Sequence, residues 1–250
     1  MGWQDIVALI GAAAWIPQII EWITKALTKP KVGMLSAKRI VVGYSDYGPY
    51  VVWSAAFSAE RQDALVMQIK LTARHEKGEA RSFVWDHVKE TFFQIQAGAD
   101  VGEFSKPSEI MALKVSVMTL TERTIIFNDP EFSADLRGKM AAVRDYHKYS
   151  QTEGDHTEAL LKSKEAIQAQ EFFAANMYWK EGRYTFEVEM QIVGRKPQKQ
   201  NFVVSFTRAD IERLQSNIPL FKTHLPAMAL DEKKEQISWS YIHLPITSSD

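Results

Sequence analysis

The sequence predicts a mainly β fold with helices (α+β), built as an antiparallel immunoglobulin-like sandwich with an inserted helical hairpin and preceded by an N-terminal apolar helix. Three observations lead to this prediction. About nine short alternating segments are separated by turn signals, residues from about 131 to 176 have helical spacing, and the N-terminus is apolar. Hydrophobic residues make up 46% and charged residues 24% of the 250-residue chain, as is typical of a globular protein.

The clearest strand pattern lies between Tyr184 and Ile192, where hydrophobic and polar residues alternate. Because successive strand residues point to opposite faces, the hydrophobic set is predicted to be buried. A similar run from Leu65 to Arg74 predicts that Leu65 and Met67 face the core with the other odd-numbered residues. The motif Asp46-Tyr-Gly-Pro49 predicts a tight turn between two further strands.

The predicted insertion has the period of helices. Leu136 and Val143 fall on one face of its first segment, and the polar connection Gln151–Asp155 separates that segment from a second one. An antiparallel helical hairpin explains this pattern. Further along, Thr207 and Asp210 form a capping-box motif, which predicts a short helix starting at Thr207.

The N-terminal apolar segment runs from Ile6 to Ile23 and is predicted to span a membrane once. Two alternatives remain open at this stage, namely an interfacial or re-entrant helix and a helix buried in a partner or in the protein's own core. Tryptophans near both ends favour a bilayer boundary, the small residues favour close helix contacts, and the proline predicts a kink. The residues assigned to this membrane or partner helix are Trp3, Ile6, Gly11, Ala14, Pro17, Gln18, Glu21 and Trp22.

A basic flank follows the apolar helix. It contains no acidic residue between its first and last members, which are Lys25, Lys29, Lys31, Lys38 and Arg39. Because positive flanks stay inside, this pattern predicts a membrane protein whose globular domain faces the cytoplasm, or a cytoplasmic protein if the helix does not insert. Residues 1–31 are therefore assigned to the helix and linker, and residues 32–250 to the β-sandwich domain.

No residue pattern predicts a catalytic, metal-binding or cofactor-binding site. The chain has no cysteine, which removes thiolate chemistry and cysteine metal sites, and its net charge of −1 gives no reason to expect nucleic acid as a partner. Histidines and acids near His75–Glu79 and His147–His156 are ordinary turn residues at this level, because sequence alone shows no catalytic geometry.

Part of the chain resembles uncharacterised bacterial proteins with a short apolar N-terminal helix, a Lys-Pro-Lys linker and a β-sandwich domain. The resemblance covers about residues 1–130 and implies no activity. Together with the predicted span, it implies that the membrane is the bacterial inner membrane. It is carried by turn and core motifs, which read Val42-Gly-Tyr-Ser-Asp-Tyr-Gly-Pro49, Asp63-Ala-Leu, His75-Glu-Lys-Gly and Ser82-Phe-Val-Trp85.

The function predicted from these features is that of a non-enzymatic, membrane-anchored interaction, accessory or effector subunit with a protein partner or a second copy of itself. The alternatives are a hydrolase near one of the two histidine groups and a soluble structural subunit whose N-terminal helix docks in a neighbour. No small-molecule ligand is identified. The aromatic residues Phe172, Phe173, Tyr178 and Trp179 are a possible interface, and the other interpretation is that they cover the open end of the sandwich within the monomer.

Overall fold

The computed structural model describes residues 15–27, 30–97, 100–149, 156–230 and 237–248. The described helices are α1 (Ile16–Leu27), α2 (Pro130–Tyr149), α3 (His156–Leu161), α4 (Lys164–Ala175), α5 (Arg208–Gln215) and α6 (Asn217–Leu230). The described strands are β1 (Lys31–Ser45), β2 (Gly48–Glu60), β3 (Ala64–His75), β4 (Ala80–Ala97), β5 (Asp100–Glu109), β6 (Leu113–Val115), β7 (Thr121–Asn128), β8 (Gly182–Ile192), β9 (Gln198–Phe206), β10 (Tyr241–Pro245) and β11 (Thr247–Ser248).

These strands form one antiparallel sheet in the order β10-β1-β2-β7-β4-β3-β8-β9-β11, with β5 and β6 attached to β4 and β3. The two ends of this order belong to one short stretch of chain, because only Ile246 separates β10 from β11. β10 pairs with β1, and β11 pairs with β9. The C-terminal stretch therefore bridges both edges and makes the sheet nearly closed and barrel-like.

The mainly antiparallel β fold with helices is confirmed. The immunoglobulin-like sandwich is not confirmed, because hydrogen bonding joins the described strands into a single sheet rather than two facing ones. The interior is filled as alternation predicts. Every second residue is buried in β2, at the odd-numbered positions from Val51 to Ala59, and in β8, at the even-numbered positions from Tyr184 to Ile192.

One predicted strand face is wrong over its first residues. Leu65 and Met67 are 40% and 48% exposed, whereas Val66 is fully buried. The pairing of β3 with β8 shifts register between Val66 and Gln68. A bulge at this point inserts one residue. The side chains before the bulge therefore point to the face of the sheet opposite to the one that uniform alternation predicts for them.

Three helices occupy the region where the sequence predicts a two-helix hairpin. The second predicted helix is divided after Leu161, because the Ser163 hydroxyl accepts a hydrogen bond from the Ala166 N–H and caps a new helix there. The capping box of Thr207 and Asp210 is confirmed at the start of α5. α6 was not predicted, since Pro219 and Pro226 lie within it.

α2, α3, α4 and α6 pack around a second apolar cluster. Tyr44 of β1 projects into it, contacts Phe132 and Phe173, and donates a short hydrogen bond to the Phe173 carbonyl. Arg81 ties the same helices to β4. Its guanidinium pairs with the buried carboxylate of Asp129, which also accepts the Glu131 and Phe132 N–H groups at the start of α2.

Candidate functional site

The described chain forms a cavity of about 540 Å³ where the β1–β2 turn, β4, β7 and α6 come together. A second cavity of about 390 Å³ shares Asp46, Tyr47, Asp86, Asn128 and Met228 with it, so the two are neighbouring parts of one cleft. The larger volume lies in the range of sites for small molecules. Polar residues at the centre of this cleft are therefore candidate functional groups.

A bulge in β4 brings an acid and a histidine to the cavity. In the pairing of β4 with β7, Trp85 is opposite Phe127 and His87 is opposite Ile126, so Asp86 is the inserted residue. Neighbouring residues of a regular strand point to opposite faces, but a bulge redirects one of them. As a result, Asp86 and His87 line the same cavity.

The carboxylate of Asp86 is held by two donors. The Asn128 amide nitrogen lies 2.7 Å from Asp86 Oδ2, and the His87 Nδ1 lies 2.9 Å from the same oxygen. Since the carboxylate accepts, His87 carries its proton on Nδ1 and presents an unprotonated Nε2 when the ring is neutral. Within the described residues, His87 Nε2, Asp86 Oδ1 and Asn128 Oδ1 have no hydrogen-bond partner.

The β1–β2 turn supplies the next wall of the cavity. Asp46 and Tyr47 are the two residues between the paired Ser45 and Gly48, as the turn motif predicts. Gly48 has a φ of +85°, and a Cβ there would lie 2.2 Å from the Phe132 ring, so glycine is needed for both reasons.

Tyr50 lines the cavity beside this turn, and glycine makes room for it. A Cβ at Gly43, which is directly opposite in β1, would lie 2.0 Å from the Tyr50 ring. Burial, together with the nearby Tyr241 and Asp46, raises the pKa of the Tyr50 hydroxyl to about 12. Tyr50 therefore stays neutral at ordinary pH and offers one donor and one acceptor.

α6 closes the cavity with His224, Ala227 and Met228, and Trp239 follows from the segment before β10. The buried Asn217 fixes the start of α6. Its amide nitrogen donates to the carbonyls of Tyr44 and Ser240 at 2.7 and 2.8 Å, and its oxygen accepts the Ser240 N–H at 2.7 Å. These bonds satisfy most of the capacity of a fully buried amide, so they hold the cavity wall in place.

The histidine near the predicted hydrolase position His75–Glu79 has a structural role. His75 is 2% exposed, its Nε2 lies 3.1 Å from the Glu181 carbonyl, and its Nδ1 accepts the Lys77 N–H at 3.3 Å. Both ring nitrogens are thus engaged in holding turns. Glu79 pairs with Lys180 at 2.7 Å, which lowers the pKa of its carboxyl.

Much of the second predicted position, His147–His156, lies outside the described residues, since these exclude residues 150–155 and the side chain of His156. Among the described residues, no group of three or more His, Asp or Glu side chains is arranged to hold a metal ion.

The aromatic residues assigned to a possible interface divide into two pairs. Phe173 and Trp179 are buried, and Trp179 stacks on Phe83 and Phe206 with centroid distances of 5.6 and 5.3 Å. Phe172 and Tyr178 are half-buried. The structure therefore places at least the first pair inside the monomer, in agreement with the second interpretation of this cluster.

α1 has an apolar face that the described chain leaves uncovered. Its exposed hydrophobic side chains are Trp15, Ile16, Ile19, Ile20, Trp22 and Ile23, at 46 to 77% exposure. Pro17 lies in the first turn of α1, a position where proline is tolerated. None of the helices that the structure describes is long and apolar enough to cross a membrane.

Several residues assigned to the N-terminal helix lie outside the described residues, namely Trp3, Ile6, Gly11, Ala14 and Lys29. Gln18 is exposed, and Glu21 and Lys25 lie in α1. The rest of the basic flank belongs to β1. Lys31 pairs with Glu60 at 3.2 Å, and Lys38 and Arg39 are exposed.

Comparisons with known proteins identify no family for this chain. Neither a family model nor a curated protein sequence matches it. Among solved structures, it is similar to a family 123 glycoside hydrolase from Clostridium perfringens, with a TM-score of 0.31 and 9% sequence identity. The similar region covers 72% of this chain and 28% of that chain, and a likeness at this TM-score assigns neither a fold family nor an activity.

Proposed function

We propose that this chain is a non-enzymatic interaction protein, attached to a lipid bilayer by its N-terminal apolar segment and presenting its barrel-like domain to protein partners on the cytoplasmic side. The observation that carries this proposal is the uncovered apolar face of α1, where every hydrophobic side chain from Trp15 to Ile23 is about half exposed or more. A contiguous apolar patch of this kind marks an interaction site.

Two features favour a bilayer over a protein groove as the cover of this face. Trp15 and Trp22 are exposed on it, and indole rings prefer the boundary between hydrocarbon and headgroups. The exposed Lys38 and Arg39 follow within the same N-terminal region, and basic residues are attracted to anionic headgroups.

Flotation with anionic phospholipid vesicles tests this proposal. Changing Ile19 and Ile20 together to serine removes about six methylene equivalents. Each fully buried methylene contributes about 0.8 kcal/mol, so a pair that the bilayer buries by about half loses about 2 to 3 kcal/mol of binding free energy. This loss corresponds to a decrease of more than tenfold in partition to the vesicles. The matched control is the double change of Met111 and Met118 to serine, since both are about 90% exposed and neither belongs to α1. Equal flotation of the two double variants would contradict the proposal.

A hydrolase is the second candidate, because the Asp86–His87 pair and His224 line one cavity. A histidine whose Nδ1 is oriented by a carboxylate presents Nε2 as a general base toward a bound water. Release of nitrophenol from nitrophenyl esters and glycosides would be measured for the unaltered chain and for His87→Ala. This candidate requires activity in the first and a loss of roughly 100-fold or more in the second; the same rate in both removes it.

A further inference from the structure

We propose that the larger cavity binds a small organic cation, namely an amine or amidine with an apolar or aromatic body. This inference goes beyond membrane attachment and does not depend on it. It is drawn from the charge of the lining, the kind of hydrogen-bonding atoms that the lining presents, and its apolar walls.

The charge of the lining favours a cation. Asp46 and Asp86 both border the cavity, and the described lining includes no lysine or arginine. Arg137 and Arg144 line the adjoining cavity instead, and Arg137 donates from Nε to the Ser133 carbonyl at 3.1 Å. A ligand in the larger cavity therefore meets the Asp86 carboxylate without a lysine or arginine among the described lining residues.

The hydrogen-bonding atoms of the central wall are acceptors. Because Asp86 Oδ2 already receives two donors, the atoms that remain are Asp86 Oδ1, Asn128 Oδ1 and the Nε2 of neutral His87. Acceptors grouped around a carboxylate are suited to a ligand with several N–H donors and a positive charge, and such charge-assisted bonds are stronger than neutral ones. A carboxylate or phosphate ligand would face lone pairs on this wall.

The remaining walls suit an apolar body next to that charge. Val52, Ile126 and Met228 contribute aliphatic surface, and Tyr50 and Trp239 contribute rings. Aromatic rings attract cations through their electron-rich faces. A cavity of about 540 Å³ holds a molecule the size of an aromatic amine with room to spare.

The test uses phenethylammonium as the probe and phenylacetate, an anion of nearly the same shape, as its control. Calorimetry on the full chain in one mild detergent measures both. We expect the cation to bind at least tenfold more tightly than the anion. Equal affinities, or no binding of the cation up to about 10 mM, overturn the proposal.

Two variants locate the site. Asp86→Asn keeps the shape of the side chain but removes its charge, and we expect it to weaken binding of phenethylammonium at least tenfold. The control is Asp135→Asn, which should leave binding unchanged because Asp135 is an exposed acid on α2 outside the cavity. Ala227→Phe fills the cavity from α6 without altering either acid and is expected to abolish binding, so the proposal stays testable if Asp86→Asn does not fold. Unchanged binding in either folded cavity variant, or an equal loss in Asp135→Asn, overturns the assignment.

Discussion

Shortening Trp179 to alanine tests whether the aromatic cluster after α4 belongs to the core. Trp179 is 1% exposed and lies in the sheet interior between Phe83 and Phe206. Its indole Nε1 donates to the Gly43 carbonyl at 3.0 Å. One side chain therefore joins the chain after α4 to β1, β4 and β9.

The expected cost follows from these contacts. Replacing a buried tryptophan by alanine destabilises a protein by about 3 to 5 kcal/mol through lost contacts and the cavity left behind. The lost hydrogen bond to Gly43 puts the change at the upper end of that range. At roughly 2 to 4 °C per kcal/mol for a chain of this size, the melting temperature should fall by about 10 °C or more.

Thermal unfolding followed by circular dichroism measures this change, and analytical ultracentrifugation measures association of the same samples. Tyr149→Ala is the control, because Tyr149 is an aromatic residue at 85% exposure and its removal should leave the melting temperature nearly unchanged. An unchanged melting temperature for Trp179→Ala together with lost association would refute the core assignment and restore the interface interpretation.

Three further predictions concern buried polar groups. Arg81→Leu leaves the carboxylate of Asp129, which is 3% exposed, without its ion-pair partner and should lower the free energy of unfolding by about 3 kcal/mol or more in chemical denaturation. Adding Asp129→Asn should recover part of this loss, whereas strictly additive effects of the two changes would argue against direct coupling of Arg81 and Asp129. Asn217→Leu leaves the carbonyls of Tyr44 and Ser240 without their donor and should lower the free energy of unfolding by about 2 to 4 kcal/mol in the same assay. An unchanged free energy of unfolding would mean that other contacts hold α6. Burial raises the pKa of the Tyr50 and Tyr184 hydroxyls to about 12, so their contribution to stability is complete below pH 10, the pKa in the unfolded chain, and is lost as the pH rises through 12. Ultraviolet titration at 295 nm should show these hydroxyls ionising late in the folded chain, and ionisation of all tyrosines near pH 10 without unfolding would contradict this.

Local sequence rules predicted the parts of the fold that local interactions determine. The alternation in Tyr184–Ile192 identified a buried face correctly, and the Thr207–Asp210 capping box identified a helix start. Each signal is contained within a few residues, and no distant contact opposes it.

The errors arise where distant contacts change a local pattern. The bulge at Met67 reverses the facing of Leu65 and Met67, and a bulge is set by the pairing with β8 rather than by β3 alone. Closure of the sheet was also not predicted, since it depends on one short C-terminal stretch pairing with two strands far away in the sequence.

The candidate cavity could not be predicted for the same reason. Asp46, Asp86, Asn128 and His224 come from four separate elements, and no spacing rule connects them. The sequence does place Asp86 next to His87, but regular strand geometry would point them to opposite faces. Only the bulge opposite Phe127 and Ile126 places both on the cavity.

Flotation of the full chain beside a chain that lacks residues 1–30 tests the proposed attachment most directly. We expect the full chain to rise with anionic vesicles and the shortened chain to stay in the dense fraction while still melting cooperatively. The reason is that the nearly closed sheet starts at Lys31, and its core contains none of the described apolar side chains of α1. Equal flotation of the two chains, or a full chain that stays in the dense fraction, would contradict the account.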